Sequence, residues 1–372
     1  MRTLRFIGFV VVLFSIFVIG AKAAAIDTFD NSLEELKNGF SDELREDLET
    51  LGMDSYDLST LADADAASLY QLLSEKFSEN ITGPLSAGGV VIAVILLSSL
   101  LEGYTDTLRY SSTKEVMHIV SSLCIGIAIL TPLLQLVRDS VSVVGMTSSL
   151  MLVYIPIIIG ILLFSGRGAG FVGQYGLMMS ICQIVGQVMS SVFAPMICLY
   201  FGLSFSSGVG DRIRLKGICE LIAKVLKWGI AFLMSIFSAA LTVRSVITGA
   251  LDTVATRAVR FTLSSFIPLV GTAISEAYRT INASLNVLRS GSGVFVIAAV
   301  MLSFLPVMVR CVLWMLSVHV CKAISELLGV LSSGEMLGAL SSGLTILVAM
   351  LISVMTVFVI STAVLVMLGG SA

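Results

Sequence analysis

The chain has 372 residues, 56% of them hydrophobic and only 13% charged, with a mean hydropathy of +1.00. Soluble globular chains carry about 25% charged residues, so most of this surface must face lipid or other buried helices, which excludes a cytosolic enzyme, a nucleic-acid binder and a disordered chain. The net charge of −3 hides a segregation: residues 1–23 hold three basic and no acidic side chains, residues 24–80 fifteen acidic against three basic, and residues 81–372 sixteen basic against ten acidic. Such asymmetry marks regions placed in different environments.

In chain order, the first feature is a leader. Arg2 and Arg5 precede the apolar stretch Phe6–Ile19, and the small-residue pattern Ala21-Lys22-Ala23-Ala24-Ala25 comes next. About 7–15 apolar residues suit a signal peptide, whereas a spanning helix needs about 20. Residues 1–23 are therefore expected to be a signal peptide; an uncleaved anchor helix is the other reading. Both place the adjoining acidic segment outside the cytoplasm.

Residues 24–83 form the acidic, soluble-looking part. Leu33, Leu36, Phe40, Leu44, Leu48 and Leu51 recur at three- and four-residue intervals, one face of a helix. Ser32 and Glu35 have the form of a capping box. Leu69, Leu72, Leu73 and Phe77 predict a second short amphipathic helix. So small a segment has little core of its own and must pack on itself, on the membrane face or on a partner.

From Pro84 to residue 372 the chain reads as a polytopic membrane domain. Apolar runs occur at 85–101, 116–137, 141–164, 171–205, 221–243, 294–320 and 344–368. A run of about 20 residues covers the roughly 30 Å hydrocarbon core, and lipid offers the backbone no partners, so only helices or a closed barrel can cross. The runs are too long for barrel strands. They predict an all-α transmembrane bundle of six to eight spans, with a small helical extracytoplasmic segment ahead of it. The run 171–205 could be one tilted helix or two short ones broken near Pro195.

Between Val243 and Val294 the pattern changes. Arg244, Arg257, Arg260, Glu276, Arg279 and Arg289 interrupt apolar pieces too short to span, around the sequence Phe266-Ile267-Pro268-Leu269-Val270-Gly271. A Pro/Gly-punctuated apolar hexapeptide flanked by basic amphipathic stretches suggests broken, interfacial or re-entrant helices. Phe266, Ile267, Pro268, Gly271, Glu276 and Arg279 are candidate gate, pore or assembly residues on that reading; a surface helical hairpin is the alternative.

The positive-inside rule places the 102–115 loop, Arg167 and the basic stretch Arg212, Arg214, Lys216, Lys224 and Lys227 in the cytoplasm. With seven runs, the last requirement favours a broken pair within 171–205. Charged residues inside spans are costly against lipid and hence functional candidates. Arg310, close to Pro306 in the middle of 294–320, is the foremost: a pore or subunit-contact residue, or one member of an intra-bundle pair. Arg138 and Asp139 adjoin each other at an expected interface, Glu220 and Lys224 are spaced for an ion pair, and His319, Lys322 and Glu326 share a helical side.

Chemical motifs are sparse. The six cysteines lie in or beside apolar runs, without a Cys-x-x-Cys pair, and are read as core residues. His118 and His319 lack a His-Glu-x-x-His context. Gly208-Val209-Gly210-Asp211 matches one half of an intramembrane aspartyl protease signature, but that chemistry needs a second aspartate in a span, and the only Tyr-Asp pair, Tyr56-Asp57, lies in the acidic segment. There is no phosphate-binding loop and no Gly-x-Ser-x-Gly elbow. A non-enzymatic protein without catalytic residues, metal or cofactor is expected. Gly-x-x-x-Gly spacing at Gly166–Gly170 suits close helix packing and is compatible with a homo-oligomer.

The order of leader, acidic helical segment and polytopic domain, together with Arg260–Arg289 and its Phe266–Gly271 and Ala273-Ile274-Ser275-Glu276-Ala277 stretches, resembles the stage III sporulation protein AE family of endospore-forming bacteria. That resemblance implies a mother-cell membrane component of a multi-subunit, secretion-like channel complex joining mother cell and forespore. Its partners would be the other channel subunits, including an ATPase-like companion, and the acidic segment would face the intermembrane space. An export-gate or permease-like role is the leading expectation, a self-sufficient secondary transporter of a small solute or ion the alternative, and a pure scaffold the third.

Overall fold

The computed structural model describes residues 66–108, 111–164, 170–209, 216–266 and 271–367, with side chains described for 74–101, 119–155, 176–208, 216–242, 295–330 and 332–364. The expected leader and the amphipathic stretch 33–51 lie outside these residues. The described chain is all helix, without a strand: α1 (Ala66–Leu108), α2 (Ser111–Phe164), α3 (Gly170–Val188), which passes through a π turn (Met189–Phe193) into α4 (Ala194–Val209), then α5 (Lys216–Phe266), α6 (Gly271–Leu327) and α7 (Leu331–Met367). Six stretches are long and apolar enough to cross a bilayer: Ser74–Leu101, Ile119–Ile155, Gly176–Gly208, Lys216–Thr242, Phe295–Leu327 and Ser332–Val364. This is the all-α, multi-span bundle expected, at the lower end of the predicted number.

Several expected breaks are absent. The apolar runs 116–137 and 141–164 belong to one 54-residue helix, α2, with Arg138 and Asp139 in its interior. At 1.5 Å per residue it is about 80 Å long, so it extends well past a bilayer core. The run 171–205 is likewise one continuous helical path, because the irregularity ahead of Pro195 is a π turn and the backbone does not reverse there. The stretch 69–77, expected as a separate short helix, is the start of α1, which continues through Pro84. Between 243 and 294 the backbone is helical up to Phe266 and again from Gly271. Residues 267–270 lie outside the described part.

The hairpin α6–α7 forms the centre. Its turn, Leu328–Val330, is closed by Gly329 at φ 76°, with the Gly329 N–H donating to the Glu326 carbonyl and the Val330 N–H to that of Ser325. Glycine accepts this left-handed conformation without the Cβ clash that other residues meet. Ser325 Oγ adds a 2.7 Å bond to the Val330 carbonyl. Val296, Val300, Phe304 and Cys311 of α6 and Leu340, Leu344, Leu347, Leu351, Val354 and Phe358 of α7 are fully buried.

The other helices dock around this hairpin. α1 packs on α6 and α2, while α5 packs on α7, α4 and, less extensively, α3. Side-chain bonds fix the directions. Asn80 lies beside Arg310, Pro84 beside Ser317, Gly88 beside Cys321 and Ser99 beside Leu328, so α1 runs parallel to α6. Tyr200 reaches Ala339 and Gly208 abuts Met336, so α4 runs antiparallel to α7. Gly126 abuts Phe205 and Ser148 accepts from Gln183, so α2 runs antiparallel to the α3–α4 path.

These directions alternate as six single crossings require. The C-terminal ends of α1, α4 and α6 therefore gather with the N-terminal ends of α2, α5 and α7. Lys114 and Lys216 thus share an end, as the positive-inside rule requires, but by a different route. The merging of two runs in α2 and the continuity of α3–α4 each remove one crossing, and the two changes cancel. The C-terminal end of α2 and the N-terminal end of α3 lie at the opposite end of the bundle.

Candidate intramembrane polar site

Arg310 is the centre of the described polar architecture. It sits one turn beyond Pro306, whose missing N–H interrupts the α6 hydrogen-bond ladder. Its Nε donates to Asn80 Oδ1 of α1 at 2.6 Å and its Nη1 to Asp139 Oδ2 of α2 at 3.0 Å. One guanidinium thus ties three helices, in the fork geometry that suits arginine and not lysine. Asn80 is held in turn by its own amide, which donates to the Lys76 carbonyl at 2.7 Å. Of the readings open for Arg310 in the sequence, the intra-bundle pair is the one the structure displays.

The depth of this pair matters. Arg310 stands in the middle of Phe295–Leu327 and Asp139 in the middle of Ile119–Ile155. An ionised side chain at the centre of a span costs about 2.5–3.5 kcal/mol against lipid, and the mutual pair with its hydrogen bonds offsets much of that. Both side chains remain 41% exposed on the outside of this single chain. The pair is therefore a half-open one, reachable by lipid, water or another protein.

Backbone irregularities collect near the same height. Pro84 interrupts α1 one turn beyond Asn80, Pro306 precedes Arg310, and the π turn Met189–Phe193 interrupts the α3–α4 path. Ser317 Oγ donates to the Pro84 carbonyl at 2.8 Å, and Ser191 Oγ donates to the Gln187 carbonyl at 2.6 Å. Such breaks at membrane depth survive where protein groups satisfy the backbone, and π turns recur at functional sites.

A second, smaller polar cluster lies two turns along α6. His319 Nδ1 contacts the Met315 carbonyl at 2.7 Å, and Ser341 Oγ of α7 lies 3.2 Å from His319 Nε2. Lys322 pairs with Glu326 at 3.6 Å, while Glu220 and Lys224, though suitably spaced, form no ion pair among the described residues. Cys182, Cys219, Cys311 and Cys321 are buried and free, as core cysteines, whereas Cys124 is exposed. No group of three or more metal-binding side chains occurs among the described residues.

No side chain of the remaining sequence candidates lies among the described ones. Phe266 ends α5, and Gly271, Glu276 and Arg279 lie in the first turns of α6; Ile267 and Pro268 fall outside the described residues. Sequence reasoning misses Asn80 and Asp139 as partners of Arg310. The available signal was slight: an arginine inside the run 294–320 and an aspartate between two apolar runs.

Comparison with known proteins places this arrangement. A family model described as stage III sporulation protein AE matches residues 58–369. Stage III sporulation protein AE of Bacillus subtilis (strain 168) is 18% identical over 210 residues, covering 56% of this chain and 53% of that protein. The match thus spans about half the length of this curated relative. No solved structure matches.

Proposed function

Because the chain belongs to the stage III sporulation protein AE family, we propose that it is a non-enzymatic subunit of a trans-envelope sporulation channel between mother cell and forespore, with an export-gate or permease-like role. It is a multi-pass membrane protein with six candidate spans among its described residues. The observation that carries the proposal is the Arg310–Asp139–Asn80 junction, an arginine at mid-span joining three helices beside backbone breaks. A passive anchor has no need of such a costly group at that depth, whereas a gate needs helices held in register by a contact that can open.

In this reading the acidic residues ahead of Ser74 face the intermembrane space, and the end that holds Lys114 and Lys216 faces the mother-cell cytoplasm. There it would meet the ATPase-like companion and the other channel subunits. The test is a clean deletion in the sporulating host, with heat-resistant spores counted and forespore transcription followed after engulfment. Arrest after engulfment, restored by the wild-type gene, is expected; normal spore yield overturns the proposal.

The same ion pair favours one other reading, a secondary transporter acting alone, since intramembrane charge pairs also line solute and proton paths. Uptake of a small solute or ion by liposomes holding the purified protein and nothing else would establish it.

A further inference from the structure

The two outermost helices carry opposite charges, and Glu79 of α1 and Lys227 of α5 stand at nearly the same height. On α1, Glu75, Glu79, Leu85, Leu96, Leu97 and Leu100 are exposed; on α5, Leu221, Lys224, Val225, Lys227, Trp228 and Phe232 are exposed. At about 100° per residue the α1 set falls within about a third of the helix circumference and the α5 set within just under half, one outward side of each helix. Neither lysine has an ion-pair partner among the described residues, and Glu79 has only Lys76, at 4.0 Å.

The heights can be matched through the bundle. Glu79 adjoins Asn80, which bonds Arg310. Lys227 is two residues from Gly229, which abuts the Phe193 ring. Phe193 lies two turns before Phe201, which meets Gly343, while Thr345, half a turn from Gly343, reaches Met315, five residues from Arg310. At 1.5 Å per residue, Glu79 and Lys227 stand within about one turn of the same level. That level is the middle of α2 and α6, where an unpaired charge costs about 2.5–3.5 kcal/mol against lipid.

The edges are also well separated. α1 docks on α6 and α2, α5 on α7 and α4, so the body of the bundle intervenes between them. Two different, complementary edges on one subunit define a head-to-tail contact, which propagates from copy to copy and makes a ring where the rotation between copies closes.

We propose that the Glu75/Glu79 edge of α1 docks on the Lys224/Lys227 edge of α5 of a second copy of this chain, assembling a closed homo-oligomer. The acidic and basic side chains pair across the contact, and the flanking leucines, Trp228 and Phe232 exclude lipid from it. The half-exposed Arg310–Asp139 pair, on the α1 side of α6, then lies next to the seam. This assignment rests on charge and position alone and does not depend on the sporulation role.

The full-length protein is co-expressed in two differently tagged forms, extracted in mild detergent, and assayed by mass and by recovery of one tag through the other. Wild type is expected to be oligomeric. E75K/E79K or K224E/K227E alone should lower cross-recovery about tenfold or more, because like charges then face each other. The four substitutions together should restore it, which separates docking from misfolding. An E79C copy should form a disulfide with a K227C copy on mild oxidation. A monomeric wild type, both edges covered by lipid only, overturns the proposal, as does an oligomer whose recovery neither charge reversal changes.

Discussion

The inner hairpin α6–α7 and the outer helices α1 and α5 are similarly apolar in their spanning parts, yet they solve different problems. Along α7, residues such as Leu337, Leu340, Leu344, Leu347, Leu351 and Val354 are buried at helical spacing, and close contacts come from glycines that let rings lie against the backbone. A Cβ at Gly126 or Gly343 would overlap Phe205 or Phe201. Lipid offers no hydrophobic driving force between helices, so such close packing holds the centre together. On α1 and α5 large apolar side chains point outward, Leu100 at 73% and Trp228 at 71% exposed, interleaved with charges. Apolar content alone therefore does not say which helix is core; the placement of small residues and of charges does.

Substitutions can break that contrast. Gly343→Leu should be the most severe, at about 3 kcal/mol or more, because the buried Phe201 and Tyr200 rings have nowhere to retreat; loss of a monodisperse detergent-extracted protein is the expected outcome. Arg310→Ala should cost about 3 kcal/mol by leaving Asp139 uncompensated at mid-span, seen as a lower unfolding midpoint. Arg310→Ala combined with Asp139→Asn should be milder than the single change, since no lone charge remains. Ser317→Ala removes one bond to the Pro84 carbonyl and should cost about 1 kcal/mol, read in the same assay. Lys216→Ala sits at the other extreme. Its 3.4 Å pair with Glu335 has side chains 67% and 71% exposed, so its removal should change stability by less than about 0.5 kcal/mol. If Lys216→Ala matched Arg310→Ala, the distinction between mid-span and surface pairs would fail.

Much of this was legible in the sequence. Composition fixes the membrane class, and the apolar runs at 85–101, 221–243, 294–320 and 344–368 each lie in a separate helix. The errors fall where one local signal has two physical causes. Arg138-Asp139 looks like the end of a span because charges commonly mark the water interface. Here Asp139 is instead paired within the bundle, so α2 runs on. Pro195 looks like a break, yet a π turn absorbs its missing N–H without reversing the chain. The Arg310–Asp139 contact joins residues 171 positions apart, and no periodicity within one helix carries such information. Only the opposite signs of Arg310, inside one run, and Asp139, between two others, pointed to it.

If the mid-span junction centred on Arg310 serves the function of this sporulation membrane protein, reversing either of its charges impairs sporulation. The most direct measurement is the yield of heat-resistant spores from a deletion strain of the host carrying variants expressed at wild-type level. Arg310→Asp and Asp139→Arg should each abolish complementation, and the reciprocal double exchange should recover a measurable part of it. Wild-type spore yield from either single charge reversal would contradict the account.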